Sequence, residues 1–237
     1  MQRAFQTGLI LTVLVAANLA AQEQSDVTPA NSLFQQAGVE SERASKLERR
    51  GKKEAVDAYE LAGKLSEASI AEAERTGIRE EDRPLEAYFR CATSYLHAGR
   101  LLNQRKGDDS DEVRRDELLR KAELYLDHVE KIEAERARRA NAPINPEIWR
   151  VRNAAGYASF LRGELAQARL HYGSVLELNP SYRPAEQAIA EINKLEQQQN
   201  ELFTPQGRTL EKEKRRKVLR GIVDTLRLVR DIVTLGR

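Results

Sequence analysis

The sequence predicts an all-α protein built of antiparallel helical hairpins, on three observations. All seven prolines (Pro29, Pro84, Pro143, Pro146, Pro180, Pro184 and Pro205) fall between periodic segments, and proline fits a helix's first turn but not its interior. Between them apolar residues recur at steps of three and four, as in Tyr88-Cys91-Ala92-Tyr95 and Leu118-Ala122-Tyr125-Val129-Ile132, the period of a helix face. Aromatic residues are 5% of the 237, few for strands, which favour aromatic and β-branched side chains. No run of clean alternation is long enough for a strand.

The chain opens on Met1-Gln2-Arg3, followed by an apolar run from Gly8 to Ala17, the small residues Ala20-Ala21, and the polar stretch Gln22-Glu23-Gln24-Ser25-Asp26. A basic start, a short apolar core and a small-residue exit form the pattern of a secretory signal peptide. The run is well short of the roughly 20 residues that span a bilayer. Residues 1–21 are therefore read as a signal peptide and 22–30 as a flexible mature start. The mature chain is read as exported, periplasmic or otherwise extracytoplasmic. An uncleaved N-terminal anchor is the alternative, because Asn18 and Leu19 lie where small residues are preferred. The single cysteine, Cys91, excludes an internal disulfide and a Cys-based zinc site.

Three hairpins follow. A small residue stands seven before a glycine in Ala44/Gly51, Ala92/Gly99 and Gly156/Gly163. Behind these pairs come the triplets Ala55-Tyr59-Ala62, Ala122-Leu126-Val129 and Ala168-Tyr172-Val175. A small residue lets two helices approach, glycine permits the turn, and the bulky residue fills the gap. The first hairpin covers about 31–76. In the second, Gly99 precedes Ala122 by 23 residues, where Gly163 precedes Ala168 by five. That spacing predicts two helices each about two turns longer, around a polar turn at Gly107-Asp108 with Asp109 or Ser110 as the cap. After the third hairpin, residues 184–199, with Ala188, Ile189, Ile192 and Leu195, predict a capping helix. Gln197 to Asn200 and Thr204-Pro205-Gln206-Gly207 have the composition of a linker, assigned to 201–208.

Residues 149–182, from Trp149 through Gly156, Gly163, Ala168 and Tyr172 to Asn179-Pro180, resemble a tetratricopeptide repeat. Residues 85–138, opening with Tyr88, Cys91, Ala92, Tyr95 and Gly99, resemble a degenerate, expanded copy. The resemblance implies a short irregular array over 31–200 whose first helices line a groove for a protein or peptide partner. The matching groove positions are Phe89, Thr93 and His97 in the second repeat and Arg150, Asn153 and Tyr157 in the third. It also implies a noncatalytic role: an adaptor or assembly factor in the cell envelope.

Charge sharpens the picture. Lys+Arg of 39 against Asp+Glu of 37 gives +2, too balanced for nucleic-acid steering by the whole protein. Residues 208–237 nevertheless hold ten bases and four acids, so a +6 tail follows a body of −5. In that tail Leu219, Ile222, Leu226, Val229 and Val233 form a helical stripe, preceded by Lys214, Arg215, Arg216 and Lys217. Such a basic amphipathic helix docks on its own domain, pairs with another helix, or lies on an anionic membrane surface. The membrane-surface role is the alternative function.

Signals for chemistry are weak. His97, His128 and His171 fall on different helices without ligand spacing. Cys91 sits at a packing position, and Asp108-Asp109-Ser110-Asp111-Glu112 lacks the glycine and ligand spacing of a calcium loop. No phosphate-cradling glycine loop or nucleophile elbow occurs. The sequence thus assigns no catalytic residue, metal or cofactor, and no nucleic-acid partner.

Overall fold

The computed structural model describes residues 29–79, 85–104 and 109–203. The expected signal peptide, the start of the chain up to 28, and the tail with its basic run and apolar stripe lie outside the described residues. Among the described residues there are seven α-helices and no strand: α1 (Pro29–Arg49), α2 (Ala55–Arg75), α3 (Leu85–Asn103), α4 (Asp109–Ala140), α5 (Trp149–Leu161), α6 (Leu165–Leu178) and α7 (Arg183–Phe203). A 3-10 turn, Pro146–Ile148, leads into α5. The pairs α1–α2, α3–α4 and α5–α6 are antiparallel hairpins; α2 packs on α3, α4 on α5, and α7 closes the stack against α6.

Four helices end by the same backbone closure. After α1, the Gly51 N–H donates to the Glu48 carbonyl (2.8 Å) and the Lys52 N–H to that of Leu47 (3.0 Å). Gly77, Asn141 and Gly163 repeat the arrangement after α2, α4 and α5. All four residues have positive φ, from 49° to 80°, the left-handed conformation that this helix ending requires and that glycine adopts without steric cost.

Glycine has a different use inside the helices. A Cβ on Gly63 would lie 2.5 Å from the Tyr95 ring, one on Gly99 2.7 Å from Leu119, and one on Gly156 3.1 Å from Tyr172. Bare backbone at these points lets bulky side chains of the next helix seat deeply. Gly99 therefore serves close packing, and the helix ends later, as the lengthening of this hairpin predicts. It lies within α3, which runs on to Asn103. The lengthening of this hairpin is also uneven. Relative to the third hairpin α3 gains six residues after its glycine, while α4 gains ten before Ala122; at 3.6 residues per turn that is nearly two turns and nearly three.

The core runs continuously from Ala44 to Leu195. Tyr95, Tyr157, Tyr172, Leu96, Leu119, Leu126 and Ile192 are its largest fully buried side chains, and each buried aliphatic one contributes about 1.5–3 kcal/mol. The long α4 ties the hairpins together with polar groups. Arg114 reaches Asp57 and Glu60 of α2 (2.6 Å each), and Lys121 and Tyr125 both reach Glu67 (3.3 and 3.1 Å). Toward α5, Glu123 accepts from Ser159 (2.7 Å) and from Arg162. Two boundaries move. Pro29 and Ala30 belong to the first turn of α1, and the Ala30 carbonyl accepts from the Ser69 hydroxyl at 2.8 Å. The glutamine-rich stretch and the first residues of the expected linker continue α7 to Phe203.

Candidate functional site

The six groove candidates separate into three environments. Phe89 of α3 and Arg150 of α5 meet at one open cleft of about 270 Å³. Its floor is apolar: Leu85 and Phe89 from α3, Val129 from α4, Ile148 from the 3-10 turn and Val151 from α5. Glu86, Glu133, Glu147 and Arg150 stand around it, with Asn145 at one end. Phe89 is 37% exposed, a large apolar group presented to solvent.

Local chemistry shapes this cleft. Asn145 caps the 3-10 turn, its side-chain oxygen accepting from the Glu147 N–H at 3.0 Å, with Pro146 at the first position. The turn carries the chain from the end of α4 across to α5 and sets Ile148 into the floor. Arg150 is paired with Glu147 at 2.6 Å, and its guanidinium lies 5.4 Å from the Trp149 ring. Trp149 in turn packs on Tyr182 with ring centroids 4.6 Å apart, so the start of α5 is anchored on the loop that leads into α7.

Thr93 and His97 lie further along α3 and are half-buried. The Thr93 hydroxyl donates back to the Phe89 carbonyl at 2.9 Å, satisfying itself within the helix. The His97 ring stacks on Tyr59, 4.9 Å between centroids and 15° between planes, and its Nδ1 is 3.3 Å from Arg100. Asn153 and Tyr157 are a correction: both are buried, at 7% and 2% exposure, and do not line an open groove. α5 packs against α3 and α4 of the second hairpin as well as against α6.

Within the stack lies a polar seam that leaves no mark in the sequence spacing. Arg100 of α3, 5% exposed, pairs with Glu48 of α1 at 2.6 Å. The Tyr59 hydroxyl of α2 donates to the same carboxylate at 3.0 Å. Burial works to raise the Glu48 carboxyl, but Arg100, with His97 and the Tyr59 hydroxyl, holds the group below the usual carboxylate range. Burial also pushes the Tyr157 phenol up to about 12, with Arg100 pulling it down and Glu48 pushing it up, which sets this ring of the third hairpin within electrostatic reach of the pair. The one sequence signal was Arg100 itself, four residues after Leu96 on the buried side of α3.

Cys91 is fully buried, its Sγ 3.6 Å from the Gly63 carbonyl oxygen. Burial pushes its thiol well above the usual range, the opposite of what a nucleophile needs. His97, His128 and His171 lie on α3, α4 and α6, and His128 packs against the rings of Tyr88 and Tyr125 at 5.8 and 6.3 Å. Among the described residues, no three His, Cys, Asp or Glu side chains are grouped as a metal site would need. No described helix is long and apolar enough to cross a membrane. The chain matches no family model, no curated protein and no solved structure.

Proposed function

We propose that this chain is an exported, noncatalytic interaction protein of the cell envelope, a helical-hairpin scaffold of tetratricopeptide-like design that holds a protein or peptide segment in the cleft between α3, α4 and α5. The observation that carries this reading is the meeting of Phe89 and Arg150. Two residues from different hairpins, 61 positions apart in the chain, present an aromatic anchor and a guanidinium around one apolar floor. Aromatic and Arg side chains supply most of the binding energy where proteins meet.

The reading is tested by a photo-cross-linking amino acid placed at position 89 of the full chain, with position 170 as the control. Leu170 is 65% exposed on α6 and does not line the cleft. A discrete protein adduct in the native envelope at 89, absent at 170 and lost on Arg150→Glu, is the expected result. Equal adducts at both positions, or adducts indifferent to Arg150→Glu, remove the cleft as the binding site. A second reading, a membrane-surface protein, draws on the +6 tail. It predicts salt-sensitive co-sedimentation with anionic vesicles that disappears when residues 205–237 are deleted.

A further inference from the structure

The cleft and the tail have complementary chemistry. Around the cleft stand three carboxylates, Glu86, Glu133 and Glu147, against one guanidinium, Arg150, so its rim is net acidic over an apolar floor. The tail has the reverse: Lys214, Arg215, Arg216 and Lys217 lead into a stripe of Leu, Ile and Val at helical spacing. The same opposition holds on the larger scale, where the tail is +6 and the body that carries the cleft, residues 22–207, is −5. Phe89 at the floor is 37% exposed, a surface that gains from being covered by aliphatic side chains.

We propose that the cleft is the docking site of the chain's own C-terminal segment, residues 209–235, seated by its apolar stripe with its basic run against the acidic rim. The proposal rests on the reading of the cleft as an interaction site. Connectivity favours this occupant over a second copy. From Phe203 to Leu219 the chain can extend about 50 Å, and a tether of this kind gives an effective concentration on the order of millimolar. A cleft of modest intrinsic affinity is then filled by its own tail, while a second copy competes only when its concentration approaches that value. Docking of this kind makes the tail a competitor that an external partner must displace.

The full chain carries its own probe. Trp149 is the sole tryptophan and stands between the cleft residues Ile148 and Arg150. Cys91 is buried with its thiol pushed up, so a thiol-reactive energy acceptor attaches to an engineered Thr225→Cys rather than to it. The expected result is strong energy transfer from Trp149 to position 225, unchanged on tenfold dilution, and several-fold weaker in the chain that also carries Glu86→Lys and Glu133→Lys. Helicity and unfolding midpoint are measured on the same samples, so that loss of transfer is not loss of fold; Phe89→Ser serves as a second variant that leaves the rim charges unchanged and should also weaken transfer. Transfer that is weak in the parent, equal in the charge-reversed chain, or dependent on concentration overturns the proposal, the last in favour of a second copy. Tail binding to phosphatidylglycerol vesicles without transfer overturns it in favour of the membrane. A partner adduct at position 89 without transfer keeps the cleft as an interaction site and removes the tail as its occupant.

Discussion

Two carboxylate–guanidinium pairs in this molecule share one N···O separation, 2.6 Å, in opposite surroundings. Arg100–Glu48 joins α3 to α1 with side-chain exposures of 6% and 27%. Arg150–Glu147 spans less than one turn at the cleft, with exposures of 54% and 55%. Distance alone would rank them equal. Burial does not, because a charge left alone inside the protein keeps its full desolvation cost, while one left alone at the surface regains water. The first pair fixes how the hairpins assemble; the second costs little to break and is free to exchange one partner for another.

The largest effect is expected from removing half of the buried pair. Arg100→Ala should lower stability by about 3–5 kcal/mol, read from the denaturant midpoint, and joint replacement as Arg100→Met with Glu48→Leu should recover more than half of that loss. Recovery of nothing would mean that the seam's geometry, and not the stranded charge, is what matters. Next comes backbone approach: Gly63→Ala sets a Cβ against the Tyr95 ring and should cost about 1–3 kcal/mol, whereas Gly173→Ala, with open space around it, should stabilise α6 by roughly 0.5–1 kcal/mol through helix propensity.

A smaller and pH-dependent effect belongs to Glu48. Its carboxyl is lowered in the folded state, so it binds fewer protons than in the unfolded chain. Its contribution is therefore complete above the ordinary carboxylate range and is lost as the pH falls through its lowered folded value. Acid titration of the unfolding midpoint should show a loss in that window that Glu48→Gln abolishes. Least of all, Arg150→Ala should change stability by under about 1 kcal/mol while removing the cross-link at position 89. A large loss of stability there would give the exposed pair a structural role and erase the contrast between the two.

Much of the fold was legible because its punctuation is local chemistry. Gly51 and Gly163 end helices through positive φ, and the apolar spacing of three and four marks every buried face. Gly77 and Asn141 close helices in the same way, but Gly77 has Ile70 and not a small residue seven positions before it, and Asn141, with Ala134 at that spacing, is not a glycine. Gly99 shares the small-residue pairing of Gly51 and Gly163 without ending a helix, because sequence spacing does not distinguish a glycine required by φ from one required by a neighbour's side chain. The glutamines near the end of α7 read as linker by composition, although Gln is a good helix former.

The site was legible only in part, and the division is physical. Phe89 and Arg150 lie where a first-helix pattern places surface residues. Asn153 and Tyr157 follow the same pattern but are buried, because the curvature of a hairpin stack is set by contacts between hairpins and not within one. Arg100 and Glu48 are 52 residues apart, and such a pair leaves no periodic trace.

The buried Tyr157 has a consequence for how the molecule comes apart. In an open solenoid each repeat meets only its neighbours, and the ends can melt while the middle persists. Here Tyr157 of the third hairpin is buried, at 2% exposure, in a core that runs unbroken through all three hairpins, and Arg100 of the second is paired with Glu48 of the first. Fraying of the third hairpin alone would bare that ring to water, so the three hairpins are expected to unfold together rather than from one end.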